Sequence, residues 1–161
     1  MDPAYAERYS ALYRDHWWWR AREEAVIAEL RRRVPASGWG HILDVGCGDG
    51  LLFPRLEEFG PVYGVEPTAA LRAPAGRHAG RIHPGPLETF RTDTRFGLIL
   101  MLDVLEHLAD PEAALRQALA LLDPAGTLLI TVPAFRMLWT THDALNQHIT
   151  RYTKRTFRSV A

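Results

Sequence analysis

His41-Ile42-Leu43-Asp44-Val45-Gly46-Cys47-Gly48-Asp49-Gly50 joins a short apolar run to three glycines at alternate positions. The apolar part has the length of a buried strand, and glycine is the residue that lets a strand turn tightly into a following helix. Such a turn also lets a ligand approach backbone N–H groups. Its spacing, G-x-G-x-G, differs from the G-x-G-x-x-G of the dinucleotide fingerprint. With Asp44 just before it, the turn suits a ligand carrying a cationic amino group better than a pyrophosphate. Taken alone, it is equally compatible with a tight turn that binds nothing.

On either side of this stretch the chain alternates between strand and helix patterns. Upstream, residues 3–34 read as helix in two pieces, broken near Asp15-His16. The second piece places Ala21, Ala25, Ile27 and Leu30 near helical spacing and ends at Arg31-Arg32-Arg33, where positive charge complements the helix dipole. Downstream, residues 51–59 read as helix, 62–65 as a second strand and 67–77 as a helix opening at Pro67. Residues 81–83 read as a short third strand, and 96–102 as a fourth, almost wholly apolar as a strand covered on both faces should be. Asp110 caps a helix from Pro111 to Leu122 with Leu115, Leu119 and Leu122 on one stripe. Asp123-Pro124-Ala125-Gly126 turns into a fifth strand, 127–132, and a short helix starts after Thr153. Repeated alternation implies a parallel sheet with helices on both faces. Ligands bind such sheets at the carboxyl ends of the strands.

Composition narrows the class. The 161 residues are 47% apolar, and 19 Lys and Arg balance 19 Asp and Glu, so no global field favours nucleic acid or an anionic membrane surface. The single cysteine, Cys47, excludes an internal disulfide and a cysteine-rich zinc site, pointing to a reducing, cytoplasmic setting. No apolar run approaches the ~20 residues that span a bilayer.

The loops after the strands carry the chemistry. Glu66, twenty residues after Gly46 and at the end of the second strand, is placed to accept the hydroxyl hydrogen bonds of an adenosine ribose. Gly85-Pro86-Leu87-Glu88 reads equally as an adenine-lining loop and as a plain turn. Leu102-Asp103-Val104-Leu105-Glu106-His107-Leu108 brings an aspartate and a histidine to the ligand edge, to hold substrate or take a proton. Helix capping by Asp103 and a buried hydrogen bond from His107 are the structural alternatives.

These four loops together resemble the class I S-adenosylmethionine-dependent methyltransferases, and within them the type 11 and 12 group that includes ubiquinone-biosynthesis-like enzymes. The resemblance implies a Rossmann-like three-layer α/β sandwich. Its five-stranded, mostly parallel sheet would have the order 3-2-1-4-5. A helical cap (1–34) would precede the core (41–133), and a substrate-side segment (134–161) would follow it, all as one domain. It implies S-adenosylmethionine as cofactor. Asp44, Gly46, Cys47 and Gly48 would surround its methionine part, Glu66 the ribose, and Leu87 and Glu88 the adenine. Leu102, Asp103 and His107 would lie beside the transferring methyl. His16-Trp17-Trp18-Trp19-Arg20-Ala21-Arg22 resembles a helix lying over the cofactor in some members, with Trp18 at the pocket and Arg22 meeting the cofactor carboxylate. Neighbouring helix residues are turned ~100° apart, so at least one of the three tryptophans is exposed.

Between Leu138 and Tyr152 the sequence is similar to a W…D…H…R-Y pattern seen above the methyl donor. His142, Asp143 and His148 are therefore substrate-site candidates, and Asp143, Arg151 and Tyr152 equally a structural network. His107, His142 and His148 are the candidate general bases for a small-molecule acceptor. No metal site is expected, because no further histidine stands at helical spacing. Two features depart from the family: Pro86 replaces a frequent aspartate, and the chain ends soon after the fifth strand. An open sheet edge is therefore expected: either the chain is a shortened relative or fragment, or another chain covers the edge, as a second copy in a homodimer would. The alternatives are a non-catalytic cofactor-binding domain and, against the glycine spacing, a nicotinamide-dependent oxidoreductase.

Overall fold

The computed structural model describes residues 15–72 and 76–161. The first piece of the expected N-terminal helix, up to residue 14, lies outside them. Five strands, β1 (Ile42–Val45), β2 (Val62–Val65), β3 (Ile82–His83), β4 (Phe96–Leu102) and β5 (Leu122–Thr131), form one sheet in the order β3-β2-β1-β4-β5. Every pairing is parallel, and Ile42 sits between Val62 and Leu98. The Rossmann-like expectation and its strand order are therefore met.

Side chains alternate across the pleat, so the sheet feeds two cores. On one face Ile42, Val62, Leu98 and Leu100 pack with Val26, Ile27 and Leu30 of helix α1 (Trp17–Arg33), and with Phe53 and Leu56 of the one-turn helix α2 (Phe53–Leu56). On the other, Leu43, Val45, Ile99 and Met101 pack with Ala114, Leu115, Ala118 and Leu121 of α3 (Pro111–Leu121). Gly97 is obligatory in β4: a Cβ there would strike the carbonyl oxygen of Trp39.

The expected break at Asp15-His16 becomes a cap, since His16 accepts a hydrogen bond from the Trp18 amide at 3.2 Å. Trp17 and Trp18 are exposed and Trp19 half-buried, as helix geometry requires.

Several local expectations are corrected. The helix expected over 51–59 shrinks to α2, because Gly60 packs its backbone against the carbonyl of Gly40 and ends the run. Of the helix expected over 67–77, the described residues 67–72 form a 3₁₀ turn, Ala69–Leu71, and residues 73–75 lie outside the described residues. There Glu66 draws the Thr68 amide to its carboxylate, and Arg72 returns to extended backbone. In α3 the buried stripe is Ala114, Leu115, Ala118 and Leu121, while Leu119 is exposed; two small alanines let the helix sit close to the sheet. β5 begins at Leu122, opposite Phe96, and residues 123–126 arch out before Thr127 rejoins the ladder opposite Leu98. Among the described residues β5 pairs on one side only, and no helix is long and apolar enough to cross a membrane.

After β5 the chain folds back over the carboxyl edge of the sheet through α4 (Thr141–Leu145) and ends in α5 (Lys154–Arg158). Reciprocal backbone bonds, Phe135 N–H to Tyr152 O and Tyr152 N–H to Pro133 O, both 2.9 Å, pin the return.

Candidate functional site

The carboxyl ends of β1, β2, β4 and β5 open into a cleft of about 870 Å³, roofed by α1 on one side and by the segment around α4 on the other. At its floor is the glycine turn. Gly46 and Cys47 both donate to the carbonyl of Val65, at 2.8 and 3.3 Å. Gly46 has φ +77°, and a Cβ there would stand 2.8 Å from a methyl of Val104, so neither the conformation nor the space admits a side chain.

Glu66 is buried at the wall of the cleft. One carboxylate oxygen accepts from the Gly48 amide at 3.0 Å and the other from the Thr68 amide at 2.7 Å. These two bonds fix the carboxylate plane and use about half of its roughly four acceptor positions. Leu87 is buried and Glu88 exposed, both at the rim.

Asp44 and Cys47 are placed differently from the expectation: neither lines the cleft. Asp44 shares the sheet face of Ile42 beneath α1, 4% exposed, because the pleat sends its neighbour Val45 to the opposite core. Burial pushes its carboxyl up to about 7, against the opposing pull of Arg22. Cys47 turns its sulfur toward Gly64 and Phe53, and burial raises its thiol far above the ordinary range, which makes it inert.

Trp18, Arg22, Leu102 and Asp103 all line the cleft. The Arg22 guanidinium meets Asp103 at 2.6 Å and stacks over Trp19 at 5.5 Å. Asp103 holds a left-handed backbone, φ +56°, at the end of β4. Its amide and carboxylate both engage Thr131 of β5, at 3.0–3.1 Å and 2.9 Å. Such strain costs on the order of 1–3 kcal/mol and marks a position held for its side chain.

The far wall gathers the histidines. The rings of His107 and His148 meet edge to face with centroids 4.8 Å apart, and His142 lies 6.5 Å from His148 at the exposed lip. His148 Nδ1 is 2.9 Å from Asp143, which is fully buried, caps α4 through the Thr140 amide at 2.7 Å and takes two bonds from Arg151 at 2.7 and 2.9 Å. Arg151 holds the Asp143 carboxyl well below the ordinary aspartate range. An ionised carboxylate only accepts, so the Nδ1 of His148 carries a proton directed at Asp143. Desolvation pushes His107 down to about 4, with His148 adding to the shift, so the His107 imidazole is neutral at neutral pH. The expected network of Asp143, Arg151 and Tyr152 is thus partly real: Asp143 and Arg151 pair, while the Tyr152 hydroxyl donates to Leu105 O at 3.2 Å.

One cleft residue was quoted in the sequence without a role. Glu106 is fully buried, lines the cleft, and has no hydrogen-bond partner for either carboxylate oxygen among the described residues. Desolvation, helped by Asp103, pushes it up to about 8. Leaving such a group unsatisfied costs about 1–3 kcal/mol, so it is a position to explain. Its signal was a glutamate one step after an apolar pair at a strand end; only the folded chain shows that it faces inward.

A parallel sheet in this order, with its cleft over a glycine turn and a pinned carboxylate at the next strand, defines a Rossmann-like α/β domain with its ligand site at the switch point. More specifically, the methyltransferase domain family matches residues 18–161, and the chain belongs to that family. It is 34% identical over 159 residues to a ubiquinone biosynthesis O-methyltransferase of Bradyrhizobium sp. (strain ORS 278), covering 81% of this chain and 62% of that protein. A second enzyme of that name, from Bradyrhizobium diazoefficiens, is 32% identical over 107 residues, covering 62% of this chain and 42% of the relative. The chain therefore spans about half the length of these relatives. Among solved structures it is similar to SAM-bound CalS10, an amino pentose methyltransferase from Micromonospora echinaspora, with a TM-score of 0.66 and 28% identity over 82% of this chain and 58% of that one.

Proposed function

We propose that this chain carries the donor site, and the acceptor-side wall, of an S-adenosylmethionine-dependent methyltransferase acting on a small molecule. The observation that carries the reading is Glu66, clamped by the Gly48 and Thr68 amides so that its remaining lone pairs face the cleft. Two adjacent ribose hydroxyls match that arrangement, and Leu87 supplies an apolar surface for the base. The Arg22–Asp103 pair fits the amino-acid end of the donor: a zwitterion presents a carboxylate to Arg22 and an ammonium to Asp103, exchanging one ion pair for two. Asp44 acts from beneath the site, through the field it shares with Arg22 and Glu66.

When bound, S-adenosylmethionine supplies a methyl group on a sulfonium sulfur, an electrophile that needs alignment and exclusion of water. Leu102, Val132 and Trp18 make that part of the cleft apolar. An O–H or N–H acceptor meets His107, His142 and His148, of which His148 is the best oriented to take a proton through Nε2, with Asp143 stabilising the resulting cation. The balance of 19 basic and 19 acidic residues supports a small acceptor over nucleic acid, and the single cysteine, Cys47, suits a reducing, cytoplasmic setting.

Calorimetry with S-adenosylmethionine, S-adenosylhomocysteine and NAD tests the reading. Binding of the first two without the third is expected. Binding of NAD alone would move the assignment to an oxidoreductase, and binding of none would leave a domain without a donor site.

A further inference from the structure

The acceptor-side wall carries one acidic group that no described side chain balances. Glu106 is wholly buried, lines the cleft, and keeps both carboxylate oxygens without a hydrogen-bond partner among the described residues. We propose that Glu106 anchors the nitrogen of a small-molecule amine acceptor, so that the methyl group passes to nitrogen rather than to a hydroxyl oxygen. This assignment rests on the donor reading above and fixes the acceptor class of the same site.

Three observations carry it. The first is charge. The two arginines that line the cleft are already paired, Arg22 with Asp103 at 2.6 Å and Arg151 with Asp143 at 2.7 Å, so neither is left for Glu106. An ammonium ion supplies the missing positive charge and its N–H donors together, whereas a phenol or an alcohol brings no charge. The second is spacing. Glu106, His107 and His148 place one side-chain atom each within 4.8 Å of one another. Two acceptors on the N–H bonds of one tetrahedral nitrogen, each about 2.9 Å away, stand about 4.7 Å apart. The third is rigidity. The Ile149 amide donates to Glu106 O at 2.7 Å and the Tyr152 hydroxyl to Leu105 O at 3.2 Å, so the returning chain holds the backbone that aims the carboxylate.

The surroundings of Glu106 give it the proton affinity that an amine acceptor requires. Desolvation raises it most, then Asp103 and, more weakly, Asp143, while a backbone hydrogen bond and Arg22 oppose. The imidazoles of His107 and His148 and the Tyr152 hydroxyl complete the titratable groups around it. In the free chain Glu106 therefore holds a proton at neutral pH. An arriving ammonium displaces that proton to water, and one N–H proton is left between nitrogen and carboxylate. Burial disfavours both charged forms, so this proton moves to the carboxylate and the nitrogen gains its lone pair. The lone pair forms the N–C bond as the C–S bond breaks; the electrons of that bond stay on sulfur, and the positive charge passes from sulfur to nitrogen. Glu106 returns its proton to water through His148. His107, neutral through desolvation, does not repel the cation.

The test compares benzylamine with benzyl alcohol, two probes of one shape, on the chain loaded with S-adenosylhomocysteine. Calorimetry should show the amine binding at least 10-fold more tightly, with release of about one proton near pH 7. Glu106→Gln keeps the shape of the side chain and should abolish both the preference and the proton release, with circular dichroism checking the fold. His41→Ala, on the exposed surface, should leave both unchanged. Equal affinities, tighter binding of the alcohol, binding of neither probe, or a preference that survives in Glu106→Gln would overturn the proposal. Proton release is read on the parent alone, in buffers of different ionisation enthalpy, and its absence on amine binding would overturn it even if the variant does not fold. S-adenosylhomocysteine binding is measured first: its absence marks failure of the donor reading, and its presence without an amine preference marks failure of the acceptor assignment alone.

Discussion

Asp44 is an acidic residue in an apolar layer, between the strand that carries the glycine turn and the helix that roofs the cleft. Replacing it with asparagine keeps the shape and removes the charge. Burial raises its carboxyl from the ordinary 3.8 to about 7, so between those values the folded chain holds a proton that the unfolded chain has released. Stability contributed by this group is therefore lost as pH rises through that window, and the loss is complete above it. At about 1.4 kcal/mol for each pH unit, ionising Asp44 costs roughly 3 kcal/mol between pH 5 and 7. For a chain of this length that corresponds to roughly 6–12 °C in Tm. Thermal denaturation of the parent and of Asp44→Asn across this range should show the variant gaining on the parent by that amount as pH rises. Other titrating groups are common to both proteins and cancel in the difference. Arg22→Ala should carry the window upward, because its guanidinium is the charge that favours the ionised form. A gap that is constant with pH, or that closes as pH rises, would refute the assignment of a buried, desolvated carboxyl.

Glu66→Ala frees the Gly48 and Thr68 amides and removes the proposed ribose acceptor; calorimetry should show a loss of S-adenosylmethionine affinity of roughly 100-fold, and retention of parental affinity would count against its role. Gly46→Ala forces a Cβ against Val104 at a left-handed backbone position, and denaturant titration should show a loss of about 1–3 kcal/mol. Asp143→Asn leaves Arg151 and His148 without their shared anion, so stability should fall by about 3–5 kcal/mol; an unchanged midpoint would mean that the network contributes little. Once an acceptor is identified, His148→Ala should lower turnover by roughly 10²–10⁴-fold, the loss expected of a general base.

The sequence alone determined the architecture. Six apolar residues around Gly97 in β4, an Ile-Leu-Asp-Val strand running into glycines in β1 and a proline-opened α3 behind the Asp110 cap are local patterns, and local sterics and burial are enough to decide them. It also placed Glu66, because a residue at the end of a parallel strand emerges at the ligand edge whatever the rest of the chain does. Its errors lie where a local preference met a longer-range demand: the opening of the helix expected over 67–77 yielded to the carboxylate of Glu66, and the helix expected over 51–59 to the contact between Gly60 and Gly40. Asp44 and Cys47 belonged to the glycine turn by sequence but not to the cleft, because the pleat and the packing under α1 decide which way a side chain points. The same holds for the far wall. Glu106 and His107 stand some forty residues before His148, and only the return of the chain after β5 makes them neighbours. What periodicity and turn chemistry dictate is the frame; the charges that the frame brings together depend on a crossing with no local signal.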